Sequence, residues 1–342
     1  MARPRGPENG TVTIRAVATA AGVSPATVSR VLAGKTVRPE SAARVRAVVE
    51  EMGYQPNASA QDLAQGRTRT IGVSVPDLDN PYFTSILKGI GREAQAAGYQ
   101  LLVGDSGISS EREVWRAVRQ RCDGIILCAP YSSPDVLMQV VAQLSPVVIV
   151  NRCAPSVPAP QLAVDSHSAT LELTGHLMRL GHRRLAYLAG PESSWSNQER
   201  RRAVESTRHF GAEVTVVPVG TTAEEVGQAV DQALAAGATA LIAFNDLVAF
   251  TALSQLRERG VRVPDDVSVT GFDDIPYARL AAPPLTSVYS PQGALGAQAW
   301  KILQALLAGE RTEGFQTISA EVRIRDSVAP PQPRQRDQAT PR

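Results

Sequence analysis

Along the first fifty residues the apolar positions fall at helical spacing. Ile14, Val17, Ala18 and Ala21 recur at i, i+3, i+4 and i+7, which predicts a short helix with Thr13 as its N-cap. Gly22 suits the left-handed residue that ends such a helix. Ser24 then caps a second helix, with Pro25 at its first position. Val28, Val31 and Leu32 face inward there, and Ala26, Thr27, Ser29 and Arg30 stay outside. A third helix is predicted over 39–52, with Val45, Val48, Val49 and Met52 on its apolar face and Gly53 ending it. From Thr70 the pattern changes. Apolar strand-like runs at 71–75, 100–103, 124–128, 147–150, 162–164, 185–188, 214–217, 240–244 and 267–270 alternate with helical stretches. That alternation predicts parallel α/β sheets, too many units for one core and so divided into two lobes.

Two short helices joined by a tight glycine turn form a helix-turn-helix, and the exposed face of the second fits a DNA major groove. Ser24, Thr27 and Ser29 offer hydroxyls to phosphates, and Arg30 has the forked donor that suits a guanine edge. Charge agrees with this division. The whole 342-residue chain carries only +2, yet residues 1–70 carry a net +5 and the remainder −3. A basic head on a mildly acidic body fits a nucleic-acid module joined to another function. Hydrophobic residues make up 43% and charged residues 20%, the balance of a globular protein with a sizeable core.

The three cysteines, Cys122, Cys128 and Cys153, lie at no metal-like spacing, and a sparse odd count fits a reducing cytosol. The first residues contain no apolar run, so neither a signal peptide nor a membrane span is expected. The expected location is cytoplasmic, at the nucleoid. Three catalytic or cofactor motifs fail on context. Gly34-Lys35-Thr36 resembles the end of a phosphate-binding loop, but Ser29 stands where its first glycine belongs. Gly104-Asp105-Ser106-Gly107 mimics a protease nucleophile, yet His167, His176, His182 and His209 all lie downstream, the wrong order. The Gly89-Ile90-Gly91-Arg92-Glu93-Ala94 run falls inside a helical stretch instead of between a strand and a helix. His176 and His182 are expected as surface or capping residues. No enzyme activity, cofactor or metal is expected.

The run AGVSPATVSRVLAG resembles the signature of the lactose/galactose-repressor (LacI) family of bacterial transcription regulators, and the similarity extends from about Thr11 to about Val328. The resemblance implies a mixed α/β protein with an N-terminal three-helix helix-turn-helix head plus hinge helix. A two-lobed type I periplasmic-binding-protein-like core of parallel sheets follows. The implied domains are a disordered tail at 1–10, a DNA-binding head at 11–55, a hinge at 56–68, an effector-binding and dimerisation core at 69–328 and a disordered tail at 329–342. Three crossovers between lobes are implied near 162–165, 289–292 and 318–322. In the hinge, Asn57 leads into a segment that folds on DNA, and Leu63 falls on the leucine that wedges into the minor groove. The chain departs from the family's pattern at Arg38, Ser41-Ala42 and Gln61, and is several residues short between Ser106 and Cys122.

The resemblance also implies a ligand cleft. Asp79, Asn80, Pro81, Tyr82 and Phe83 match the loop after the first core strand, with Tyr82 and Phe83 aligned with cleft aromatics. Asp165 aligns with a cleft aspartate, and Arg200 with the arginine of an Arg-x-x-Gly motif whose glycine is Ala203 here. Asn245 and Asp246 follow a strand, and Asp273 of Gly-Phe-Asp-Asp matches the aspartate that fixes effectors. The expected effector site is therefore Asp79, Tyr82, Phe83, Asp165, Arg200, Asn245 and Asp273. Family members place an aromatic about where Thr222 stands, which removes one stacking face here. A guanidinium, carboxylates and an amide suit a polyol, so the implied function is a homodimeric regulator, most often a repressor. It binds pseudo-palindromic double-stranded operator DNA under control of a sugar or sugar derivative. The alternatives are a purine or nucleoside effector, a protein co-repressor, or a sugar-transport protein of the same core fold.

Overall fold

The computed structural model describes residues 12–32, 34–54, 68–108, 110–144, 146–220, 222–312 and 314–332. By its internal contacts the chain divides into a unit ending at Arg69 and a unit beginning at Thr70.

The first unit is built from α1 (Ile14–Ala21), α2 (Pro25–Leu32) and α3 (Pro39–Glu51). Thr13 caps α1, its hydroxyl accepting from the Ala16 N–H at 3.2 Å, and Gly22 ends it at φ +63°. Val17, Val28 and Val45, one from each helix, are fully buried against one another. Arg38 makes no side-chain cap for α3, and Pro39 supplies the fixed φ that starts the helix instead.

The second unit holds two six-stranded sheets. One contains β1 (Thr70–Val75), β2 (Gln100–Asp105), β3 (Gly124–Cys128), β4 (Val147–Val150) and β5 (Gln161–Val164). The other contains β6 (Arg184–Ala189), β7 (Glu213–Pro218), β8 (Ala240–Ala243), β9 (Ser268–Asp273) and β10 (Thr286–Tyr289). The last two strands, β11 (Phe315–Ile318) and β12 (Glu321–Arg323), join the first and second sheet respectively. The orders are β11-β5-β4-β3-β1-β2 and β12-β10-β9-β8-β6-β7. All pairings are parallel except that of β12 with β10. Strands β3, β4 and β8 are buried along their whole length, which is why they appear as continuous apolar runs.

Eight helices cover the sheets: α4 (Pro81–Ala96), α5 (Glu111–Arg119), α6 (Pro134–Leu144), α7 (Ser166–Arg179), α8 (Trp195–Ser206), α9 (Ala223–Ala235), α10 (Asp246–Glu258) and α11 (Gln292–Leu307). The chain passes between the lobes after β5, between β10 and α11, and between β11 and β12, the three expected crossovers. The shortened segment forms α5, started by a reciprocal Ser110–Glu113 capping box. Its Trp115 is buried, and the indole N–H donates to the Ser74 hydroxyl at 3.2 Å.

Two sequence expectations change. His182 is buried, not superficial. Its ring nitrogens lie 2.9 Å from the Thr239 hydroxyl and 2.9 Å from the Ala329 carbonyl. That contact, with the Ala329 N–H donating to Ser268 Oγ at 3.1 Å, keeps the chain attached one residue past the expected core boundary at Val328. The tails at 1–10 and 333–342 and the hinge at 56–67 lie outside the described residues.

Gly89, the first glycine of the dinucleotide-like run, has a packing role. A Cβ there would collide with the Gly293 carbonyl of α11, and a Cβ on Gly296 would collide with the Ile86 carbonyl of α4. Helices α4 and α11 therefore cross backbone to backbone under the first sheet. Alanine normally favours a helix over glycine by roughly 0.5–1 kcal/mol. Here Gly296→Ala is expected to destabilise the fold by about 1–3 kcal/mol, because the intruding methyl meets backbone that cannot yield. Urea unfolding checks this; an unchanged or raised midpoint contradicts the crossing.

Candidate functional site

The head presents a polar face. Pro25, Ala26 and Arg30 of α2 are exposed, with Ser24 exposed just before it and Thr27 and Ser29 half-buried. Ser24 Oγ accepts from the Thr27 N–H at 3.1 Å and lies 2.9 Å from the Thr27 hydroxyl, so these two groups are held in one geometry. Thr13 is exposed at the start of α1. The structure thus gathers Thr13 and the predicted residues of α2 at the surface of this unit. Asn57 and Leu63 lie outside the described residues.

In the second unit the two sheets point the carboxyl ends of their strands at one cavity of about 250 Å³, where ligands bind in open α/β folds. Its walls include Tyr82, Phe83, Arg200, Asn245 and Asp273, five of the seven expected residues. Asp165 is not among them. It caps α7, its carboxylate accepting from the Ser168 N–H at 3.0 Å. Asp79 is exposed outside the cavity, and the loop instead turns Asp77 and Asn80 inward. The turn is set by Asp77, whose carboxylate accepts from the Asp79 N–H at 2.8 Å. Thr222 caps α9 through a box with Glu225 and leaves Val219, Gly220 and Phe244 on that side of the cavity.

The chemistry centres on Arg200, on the inner face of α8. Its guanidinium lies 3.5 Å from the centroid of Phe272 and 5.1 Å from that of Phe244, donates to the Phe244 carbonyl, and stands 3.6 Å from the Asp273 carboxylate. Its Nε is buried without a hydrogen-bond partner. Asp273 ends β9 at φ +103°, and Asp274 follows at φ +49°. Two consecutive non-glycine residues in left-handed backbone are strained, and that strain turns successive carboxylates in opposite roles. Asp273 faces the cavity. Asp274 turns away, to Arg323 at 2.7 Å and Arg325 at 2.6 Å. Beneath them the buried Asp246 accepts from the Ser287 hydroxyl at 2.5 Å and the Ile275 N–H at 2.8 Å. Burial, and then the neighbouring Asp273, hold Asp246 well above the usual carboxylate range.

Three helix N-termini frame the cavity. Asn80 caps α4, Ser194 caps α8 and Asn245 caps α10, each by accepting from a backbone N–H of the first turn. Asn151 stands at φ +55° after β4 and donates to the Tyr82 hydroxyl at 2.6 Å. Tyr131, Asn151, Ser194 and Ser196 escaped the sequence reading, which had Asn80 in the cleft loop but not among the site residues. A signal existed for Asn80 and Ser194: an Asn or Ser after an apolar strand and at the start of a helical stretch marks a cap at the ligand end of the sheet. No group of His, Cys, Asp or Glu among the described residues could hold a metal, and all three cysteines are free. No helix of the described residues is long and apolar enough to cross a membrane.

Residues 13–57 match the family model described as bacterial regulatory proteins, lacI family, and residues 174–328 match a periplasmic binding protein-like domain. The chain is 31% identical over 334 residues to the HTH-type transcriptional regulator DegA of Bacillus subtilis (strain 168), covering 93% of this chain and 98% of the relative. A Lac repressor dimer bound to operator and the anti-inducer ONPF superposes with a TM-score of 0.79 at 28% identity, over 94% of this chain and 100% of that one. A complex of the transcriptional regulator CelR with cellobiose superposes at 0.68 with 30% identity, over 92% and 99%.

Burial pushes Asp273 up to about 7 against the pull of Arg200. An unfolded aspartate titrates near 3.8. Between these values the folded chain keeps a proton that the unfolded chain has lost. This contribution to stability is therefore complete below about pH 4 and is lost as the pH rises to about 7. The expected difference is on the order of a few kcal/mol, and Asp273→Asn should remove it. Melting temperatures of both proteins across pH 4–8 check this. Parallel profiles contradict it.

Proposed function

The chain belongs to the lacI family of bacterial regulatory proteins and is a DNA-binding transcriptional regulator; on that premise we propose that it is a non-catalytic cytoplasmic repressor whose operator affinity is set by a sugar in the inter-lobe cavity. The observation that carries the effector is the buried Arg200–Asp273 pair at the cavity wall, with the unmet Arg200 Nε–H. Vicinal hydroxyls donate and accept together. The Asp273 carboxylate accepts a hydrogen bond from one hydroxyl, and the guanidinium donates to hydroxyl oxygens. At about 250 Å³ the cavity lies below the roughly 300–1,000 Å³ common for small-molecule pockets, which suits a compact ring. The CelR neighbour, whose structure holds cellobiose, supports the same ligand class.

Head residues Thr13, Ser24, Pro25, Ala26, Thr27, Ser29 and Arg30, with Asn57 and Leu63 of the hinge, make the DNA contacts in this reading. Two heads of a homodimer occupy the half-sites of a pseudo-palindromic operator. An apolar patch supports the dimer. Leu280 is 78% and Tyr277 55% exposed, beside Phe250 and Leu253. The effector changes lobe closure, and closure biases the hinges and heads through a two-state linkage.

Arg30→Ala is expected to flatten operator preference by about 1–3 kcal/mol at one base position per half-site, since it removes the forked donor of α2. Selection of binding sites from random DNA checks this. An unchanged consensus contradicts the role.

A thermal-shift screen of sugars, nucleosides and amino acids, followed by calorimetry, tests the effector. A sugar is expected to bind, and Asp273→Ala or Arg200→Ala to weaken it by roughly 1–3 kcal/mol through an unpaired ligand group. Operator binding by the Asp273→Ala protein should persist while its response to the sugar is lost. A nucleobase ligand, or a sugar whose affinity neither variant changes, refutes the assignment.

A further inference from the structure

The connection from β4 to β5 faces two ways. Its first two residues belong to the junction of the lobes. Asn151 lines the effector cavity and donates to the Tyr82 hydroxyl at 2.6 Å, and Arg152 donates to the Ser193 carbonyl at 2.9 Å. The residues that follow, from Cys153 to Gln161, line a separate cavity of about 460 Å³ together with Thr312 and Phe315, at the entry to β11. This groove shares no residue with the effector cavity, and its volume falls within the roughly 300–1,000 Å³ common for small-molecule pockets.

Its walls are poor in hydrogen-bond donors. Pro155, Pro158 and Pro160 have no N–H. The N–H groups of Val157, Ala159 and Gln161 already donate to the carbonyls of Ala154, Val157 and Gly314. The Gln161 side-chain amide is engaged too, accepting from the Ala154 N–H at 2.6 Å and donating to the Ala154 and Val157 carbonyls at 2.8 and 3.2 Å. The half-buried Cys153 thiol adds only a weak donor. What remains is a surface of pyrrolidine rings beside the ring of Phe315, which is 42% exposed, and one polar group. The Thr312 hydroxyl is buried without a hydrogen-bond partner among the described residues. A sugar would leave most of its hydroxyls unpaired against such walls. A flat apolar ring with a single polar substituent fits them. The ring lies against the prolines and Phe315, and the substituent meets the Thr312 hydroxyl, which both donates and accepts.

The groove also bears on the contact between the lobes. Phe315 begins β11 of the first sheet, and its ring meets Trp195 of α8 edge to face, with centroids 5.9 Å apart. Ser194 and Ser196, on either side of Trp195, line the effector cavity. We propose that this groove is a second regulatory ligand site, for a small aromatic molecule with one hydroxyl or carbonyl substituent, whose occupant biases the lobes through the Phe315–Trp195 contact. The site goes beyond the sugar reading of the effector cavity and is independent of which molecule fills that cavity.

The full chain serves for the test, with phenol and toluene as probes in ligand-observed NMR titrations. Phenol is expected to bind roughly fivefold or more tightly than toluene, because phenol alone can pair with the Thr312 hydroxyl. Thr312→Val should bring that ratio below about twofold and raise the melting temperature, since it removes a buried, unpaired hydroxyl. Cys153 gives an independent handle, because Cys122 and Cys128 are buried. Benzyl methanethiosulfonate attaches an aromatic ring there as a mixed disulfide, and methyl methanethiosulfonate attaches only a methylthio group. The benzyl adduct is expected to abolish phenol binding and to shift the Kd for an operator selected from random DNA by roughly threefold or more. The methyl adduct and a benzyl-treated Cys153→Ser protein should keep the unmodified Kd. Phenol that binds no more tightly than toluene, or that still binds the benzyl adduct, overturns the site. So does a benzyl adduct with an unaltered operator Kd. A Phe315→Ala protein whose sedimentation shows a changed oligomeric state would assign the groove to a second copy of the chain and likewise overturn it.

Discussion

A guanidinium stacked face-on against Phe272 and paired with Asp273 is the constraint around which the core is arranged. A charge buried this deeply is unfavourable unless rings, carbonyls and a counter-charge surround it. The structure brings the parts from three places: Arg200 from α8, Phe244 after β8, and Phe272 and Asp273 from β9. Only a sheet with β8 beside β9, under a helix entering from β6, brings them together. The same cluster reaches the third crossover, because Asp274 is neutralised by Arg323 of β12 and by Arg325 just beyond it. A change at the cavity is therefore adjacent to one of the three strands of chain that join the lobes.

Both lobes line the cavity, and contacts already bridge them. Arg152, following β4, donates to the Ser193 carbonyl at 2.9 Å, in the turn that carries Ser194 and Ser196. The Ser290 hydroxyl of the second crossover lies 3.5 Å from the Tyr82 hydroxyl. A ligand between these walls interacts differently with an open and a closed arrangement, and only that difference shifts an equilibrium. The glycine-mediated crossing of α4 and α11 gives the first lobe a stiff base.

The fold was largely legible in the sequence for a physical reason. Strands buried on both faces leave unbroken apolar runs, and their ends followed within one or two residues, except that β9 runs on to Asp273, three residues past its apolar run. The head was legible because its caps are local: Thr13, Gly22, Ser24 and Pro25 each act within four residues. The cavity lining was legible at Tyr82, Phe83, Arg200, Asn245 and Asp273, where a bulky ring, a buried charge or a helix cap ends or follows a strand. Asp79 and Asp165 misled because aspartates in loops serve turns and caps as readily as ligands. In each case the deciding partner, Asp77 or the Ser168 N–H, was a backbone matter that alignment by type does not weigh. Tyr131 and Asn151 were invisible because their roles depend on strand order, which brings β3 beside β1 and β4 beside β3. His182 was misplaced because its partners, Thr239, Ser268 and Ala329, lie 57 to 147 residues away.

Occupation of the inter-lobe cavity by a sugar is expected to change the grip of the heads on DNA. Its most direct measurement is fluorescence anisotropy of the full chain on an operator selected from random DNA, at fixed salt, with and without the sugar found to bind. Coupling between sites is typically about 1–3 kcal/mol, so the sugar should change the operator Kd by roughly 5- to 150-fold and leave binding to random DNA nearly unchanged. A saturating sugar that leaves the operator Kd unaltered would rule out this coupling.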